Sequence, residues 1–222
     1  LFFLPVAWFL FENSCFFTTF AQNKSLYTTM FRNLPPVTKN LLLINIICFF
    51  SYMVFSRYGV NLSHILGLHY VTASEFGFWQ PITYMFMHAN FSHLFFNMFA
   101  VLMFAPAIED RWGSRRFLIY YLVTGIGAGI IQEIVWALQL QPVLNSVDPL
   151  MAAQLANRVV TIGASGAVFG ILLAFGWLFP DVRMYILFIP VPIRARTLVI
   201  IYALIELFTG LAPSAGDNVA HF

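Results

Sequence analysis

The sequence predicts an all-α polytopic membrane protein, and three observations carry that prediction. Of 222 residues, 60% are hydrophobic and only 9% are charged, whereas a soluble domain carries about 25% charged residues. Too few charges remain to cover a water-facing surface, so a bilayer is the natural solvent. The apolar residues gather into runs approaching the ~20 residues that a spanning helix needs. The basic residues fall on alternate connections between those runs.

Taken in order, residues 1–39 read as a cytoplasmic leader or an extra apolar segment. The stretch from Leu1 to Phe20 is apolar but broken by Glu12, Asn13 and Ser14, and it lacks the basic start of a signal peptide. It reads either as an additional span or as sequence ahead of a start at Met30, from which "MFRNLPPVTKN" forms a basic leader. Residues 40–222 form one membrane domain. Its spans are expected at 40–55, 93–108, 117–138, 162–179 and 197–211. A sixth begins near Asp217 and is cut at Phe222. No internal repeat or low-complexity tract interrupts them.

The connections set the orientation. With the leader cytoplasmic, Lys24, Arg32, Lys39, Arg111, Arg115, Arg116, Arg183, Arg194 and Arg196 all fall on the cytoplasmic side. Only Arg57 and Arg158 fall outside, a strong positive-inside pattern. Residues 56–87 then form a long outer loop. It mixes apolar side chains with Arg57, His64, His69 and Glu75, as suits a loop in the interface, where its histidines act as hydrogen-bonders. A net charge of +2, dispersed along the chain, points away from nucleic acid. Cys15 and Cys48 have no CxxC partner, so neither a disulfide nor a metal site is expected.

Polar groups at membrane depth face a bundle interior. His93 and Asn97, four apart, share one helix face. His88 lies near the mouth of the same helix, Ser165 near the outer end of the fourth span, and His221 near the outer end of the sixth. All five sit toward the non-cytoplasmic side. The stretch "VTIGASGAVFG" around Ser165 has two readings. Gly163, Gly166 and Gly170 are small residues that allow close helix packing. The same serine becomes a nucleophile if a neutral histidine takes its proton. His221 would serve as that base. The backbone N–H of Ser165 with the side chains of His93 and Asn97 would then meet the oxyanion, and the flanking glycines would admit a substrate backbone. Such chemistry needs no cofactor and no metal.

The runs "HANFSHLFFNMFAVLMFAPAIEDRWGSRRF", "GASGAVFG" and "GDNVAH" resemble the rhomboid intramembrane serine proteases in order and spacing. The resemblance implies a six-helix rhomboid-like bundle, with the sixth helix truncated here. It implies Ser165 as nucleophile, His221 as base, and His93 and Asn97 at the oxyanion hole. Glu109, Arg111 and Gly113 match the ExRxG element that braces the cytoplasmic end of the second helix. His88, Gly163 and Gly166 complete the motifs. The implied function is an endopeptidase that cleaves transmembrane protein substrates in or near their membrane segments. Its setting would be a bacterial inner membrane, with the site facing the non-cytoplasmic side. One departure stands in the outer loop, where the family often carries Trp-Arg and this chain has Trp79-Gln80, losing a charge and keeping a hydrogen-bonding side chain.

Other classes fit less well. A metalloprotease would need HExxH, which is absent from the sequence. Asp110, Asp148, Asp181 and Asp217 lie in loops or at helix ends, unlike the paired acids of an aspartyl protease. A transporter would place polar groups at the midplane, and Glu133 and Glu206 are expected near helix ends instead. The alternative from another class is a catalytically inactive rhomboid-like factor for binding or quality control. Such relatives usually lose the serine or the histidine.

Overall fold

The computed structural model describes residues 34–186, 189–201 and 204. The sixth helix, His221, Glu206 and the leader before residue 34 lie outside the described residues. Chain order is α1 (Pro36–Ser56), α2 (Leu62–Leu66), β1 (Leu68–His69), α3 (Gln80–Thr83), a 3-10 turn (Tyr84–Phe86), α4 (Phe91–Trp112) and α5 (Ser114–Gln139). There follow α6 (Gln141–Leu144), α7 (Pro149–Arg158), β2 (Val160–Thr161), α8 (Ser165–Leu178), β3 (Arg183–Ile186) and β4 (Ile189–Arg194). Residues 195–201 are again helical, over part of the expected fifth span.

Helices α1, α4 and α5 are each long and apolar enough to cross a membrane, and the chain is an integral multi-pass membrane protein. Each runs past its expected limits. Pro36 opens α1 at a first-turn position, where the missing N–H costs nothing and the fixed φ suits a helix. Lys39 therefore sits inside α1, Arg111 in the last turn of α4, and Arg115 and Arg116 in the first turn of α5. Helix α8 is shorter, 14 residues, or about 21 Å of rise. That falls short of a hydrocarbon core of about 30 Å.

Helix α8 packs chiefly between α4 and α5. The fully buried layer joins Val101, Ala105 and Ile108 of α4, Phe117 and Tyr121 of α5, and Ile171 of α8. Glycine makes the approach to α5 possible. A β-carbon on Gly166 would collide with the Ala128 methyl group, and one on Gly170 would lie 2.7 Å from the Thr124 side chain. Tyr120 adds a hydroxyl hydrogen bond to the Gly170 carbonyl at 2.8 Å. The outward faces carry the apolar surface that lipid requires, as at Ile47 and Phe50 of α1 or Val123 and Ile130 of α5.

The all-α expectation holds for the bundle, but two small antiparallel pairs accompany it. Strand β1 pairs with β2, matching Leu68 with Thr161 and His69 with Val160. Strand β3 pairs with β4 between α8 and the next helical stretch, where a plain loop had been expected. The outer loop is also more ordered than its composition implied. His69 Nε2 lies 2.9 Å from the His64 carbonyl, and the two rings meet edge to face at 4.6 Å. Glu133 accepts a hydrogen bond at 3.0 Å from the Val71 backbone N–H, so this acid in α5 holds the outer loop.

Candidate active site

The site is assembled by two neighbouring pieces of chain, the β2–α8 junction and the start of α4. Strand β2 delivers Ile162 and Gly163. Gly163 has φ +133°, a conformation that side chains rarely adopt. Its N–H donates to the Tyr84 carbonyl at 2.9 Å, which ties it to the 3-10 turn. Two residues later Ser165 is the first residue of α8. The cap residue Ala164 offers no side-chain hydrogen bond, and the first N–H groups of a helix have no partner within it. A positive dipole end therefore lies beside the Ser165 hydroxyl.

The second piece is the start of α4. Asn90 caps it by accepting a 2.8 Å hydrogen bond from the His93 N–H. His93 and Asn97 follow on one face, and the Asn97 amide nitrogen donates at 3.0 Å to the His93 carbonyl. Asn97 is buried and His93 half-buried. The Ala89 N–H points at His93 Nδ1 across 3.5 Å, a long and weak contact. Were the ring to accept at Nδ1, its proton would sit on Nε2 and make that nitrogen the donor.

The two pieces meet over Gly163. A β-carbon there would lie 2.8 Å from both Cε1 and Nε2 of His93 and 3.7 Å from Ser165 Oγ. The Cε1–Nε2 edge of the imidazole and the serine hydroxyl thus flank one small space, which exists because residue 163 has no side chain. His88 stands behind. It is fully buried and meets the His93 ring edge to face at 5.0 Å. Burial pushes its pKa down to about 3, so it is neutral and adds no charge to the site. His221 lies outside the described residues.

Glu109, Arg111 and Gly113 gather at the opposite end of α4. Glu109 is buried and accepts four hydrogen bonds. They come from the Val37 N–H at 2.9 Å, the Thr38 N–H at 2.7 Å, the Thr38 hydroxyl at 2.8 Å and the Ser114 hydroxyl at 2.6 Å. Its carboxylate is the N-terminal cap that Pro35 cannot supply to α1. Gly113, at φ +81°, turns the chain from α4 into α5. Arg111 is exposed and forms no ion pair among the described residues.

Sequence reasoning missed Tyr84, Thr38 and Ser114. Tyr84 holds Gly163 by its carbonyl, and its hydroxyl donates to the Gly125 carbonyl at 2.6 Å. Nothing in the local pattern marks it. Thr38 and Ser114 are ordinary polar residues until the fold brings Glu109 to them.

Fold and site together define a polytopic helical membrane protein with a serine at the head of a short central helix, faced by a histidine from the first turn of α4. A family model described as the Rhomboid domain matches residues 75–222, and the chain belongs to the rhomboid family. It is similar to the rhomboid protease AarA of Providencia stuartii, 32% identical over 62% of this chain and 49% of that protein. It is similar also to the rhomboid protease GluP of Bacillus subtilis, 31% identical over 64% of this chain and 23% of that protein. To the chloroplastic rhomboid-like protein 11 of Arabidopsis thaliana it is 32% identical over 42% of this chain and 26% of that protein. The chain thus spans less than half the length of each of these relatives.

Proposed function

We propose that this protein is an intramembrane serine endopeptidase that cleaves membrane proteins in or near their transmembrane segments. Ser165 is the nucleophile and His221 the base that takes its proton. The His93 Nε2–H, the Asn97 amide and the backbone N–H of Ser165 receive the oxyanion of the tetrahedral intermediate. His221 then returns the proton to the leaving amine, and water releases the acyl group by the same path in reverse. The basic residues on alternate connections favour a site facing the non-cytoplasmic side, in a bacterial cell membrane the outward side. The supporting observation is the shared space over Gly163, where the imidazole edge and the Ser165 hydroxyl both lie within 3.7 Å of one point. A neutral His88 behind His93 keeps that pocket free of competing charge.

The decisive measurement is cleavage of a model single-span substrate in liposomes by the full-length protein and by S165A. Alanine fills the same packing position, so S165A is expected to fold as the parent does and to cleave nothing above background. Undiminished cleavage by S165A would overturn the nucleophile. A parent protein that binds the substrate span and never cuts it would favour a non-catalytic rhomboid-like binding factor.

A further inference from the structure

The strand that leads to Ser165 is held from the outer loop, and the hold converges on one side chain. Gln80 is buried at 1% exposure. Its carbonyl oxygen accepts from the His69 N–H at 3.1 Å. Its amide nitrogen donates to the Glu75 carbonyl at 2.8 Å and to the Ile65 carbonyl at 3.4 Å. One acceptor and two donors are all engaged, a combination that a side-chain amide offers and that arginine, a donor only, does not. His69 belongs to β1, which pairs with β2. Gly67, just before β1, has no room for a β-carbon because the Ser63 carbonyl oxygen stands nearest to that place and the Val160 and Ile162 side chains reach it at 2.6 and 2.8 Å. Two residues beyond β2, Gly163 is bonded back to the Tyr84 carbonyl, one helical turn after Gln80. The contacts close a ring, from Gln80 through β1, β2, Gly163 and Tyr84 to Gln80 again.

We propose that Gln80 is a positioning residue for Ser165. By pinning β1 it fixes how β2 runs, and so where the Ser165 hydroxyl stands against His93. Gln80 acts through the paired strands. The inference rests on the reading of Ser165 as nucleophile.

The test is the second-order rate at which a fluorophosphonate labels Ser165 in the full-length protein, beside kcat and KM on the model substrate. Q80L keeps the bulk and loses every hydrogen bond. A displacement of about 1 Å at a reacting group can cost about 10²-fold, so labelling and kcat are expected to fall about 10–100-fold with KM unmoved. Q80R strands the His69 N–H and is expected to be as impaired. Q80E supplies a second readout. As a neutral acid it offers a carbonyl acceptor and a hydroxyl donor, like the amide, whereas ionised it turns a charge toward the Glu75 carbonyl. Its rate relative to the parent is therefore expected to fall as pH rises. The ionisable neighbours His64, His69 and Glu75 are present in both proteins, and their charges set the pH at which the Q80E ratio falls without removing the fall.

Parent-like labelling of Q80L or Q80R would overturn the proposal, as would an impaired Q80E whose ratio is flat with pH. If Q80L does not fold, the Q80E ratio decides alone. A parent protein whose labelling survives S165A would refute the nucleophile itself and this inference with it. Intact parent labelling with an indifferent Gln80 would refute only the latter.

Discussion

Gly113 and Gly163 both hold positive φ, +81° and +133°, yet the two corners of the molecule use glycine differently. Around Gly113 a β-carbon would meet nothing within 4 Å. Only the backbone needs glycine there, at a φ and ψ (81°, 153°) that other residues avoid. Around Gly163 a β-carbon would strike the His93 ring at 2.8 Å. That corner needs both the backbone freedom and the empty volume. The polar groups differ in the same sense. At the Gly113 end the Glu109 carboxylate is saturated by four donors. At the Gly163 end the helix head has no side-chain cap. The first corner is closed as a joint, and the second is left open enough for chemistry.

Substitutions can break this contrast. Apart from S165A, the largest expected effect is that of G163A. The methyl group displaces the imidazole, and losing one oxyanion donor costs about 10²–10³ in rate. Turnover on the model substrate should fall by that order while the melting temperature in detergent moves less than for E109A. A G163A protein with parental turnover would remove the volume argument. Next comes E109A, which leaves the Val37 and Thr38 N–H groups and two hydroxyls without their acceptor. Each unsatisfied buried group costs about 1–3 kcal/mol, so unfolding in detergent should occur at clearly lower denaturant. Activity per folded molecule should stay near the parent's. Loss of activity without loss of stability would show that the brace reaches the site. The smallest effect belongs to G113A, about 1–3 kcal/mol of backbone strain with no clash, read as a modest drop in melting temperature. Should G113A prove as damaging to turnover as G163A, the two corners would not be distinct.

The bundle was legible because α1, α4 and α5 are long apolar runs, and apolar length is a local property. Their ends were placed one to four residues short because hydropathy stops at the polar residues that begin or close a helix. Pro36, Asn90 and Ser114 were the better markers. Asp148 accepts from the Leu150 and Met151 N–H groups, and with Pro149 it announces α7 in the sequence, a capping signal passed over for want of an apolar run. Of the site, the placing of His93 and Ser165 toward one side of the membrane followed from the topology, and their pairing was implied by the family resemblance alone. The β1–β2 pairing did not, because two residues against two, separated by some 90 in sequence, leave no period to read. Gln80 was noted for the charge it lacks. What it holds is set by the loop folding back on itself, which no neighbouring residue declares.

The Glu109 cap also imposes an order in time. Val37 and its acceptor are 72 residues apart in the chain. A ribosome adding about 5–20 residues per second makes that separation in about 4–14 s. Over that interval α1 carries bare N–H groups at its head, to be met by headgroups and water until α4 arrives. Any membrane-inserted intermediate that holds α1 without α4 is therefore incomplete at the head of α1, and it is finished by a residue supplied 72 positions later in the chain.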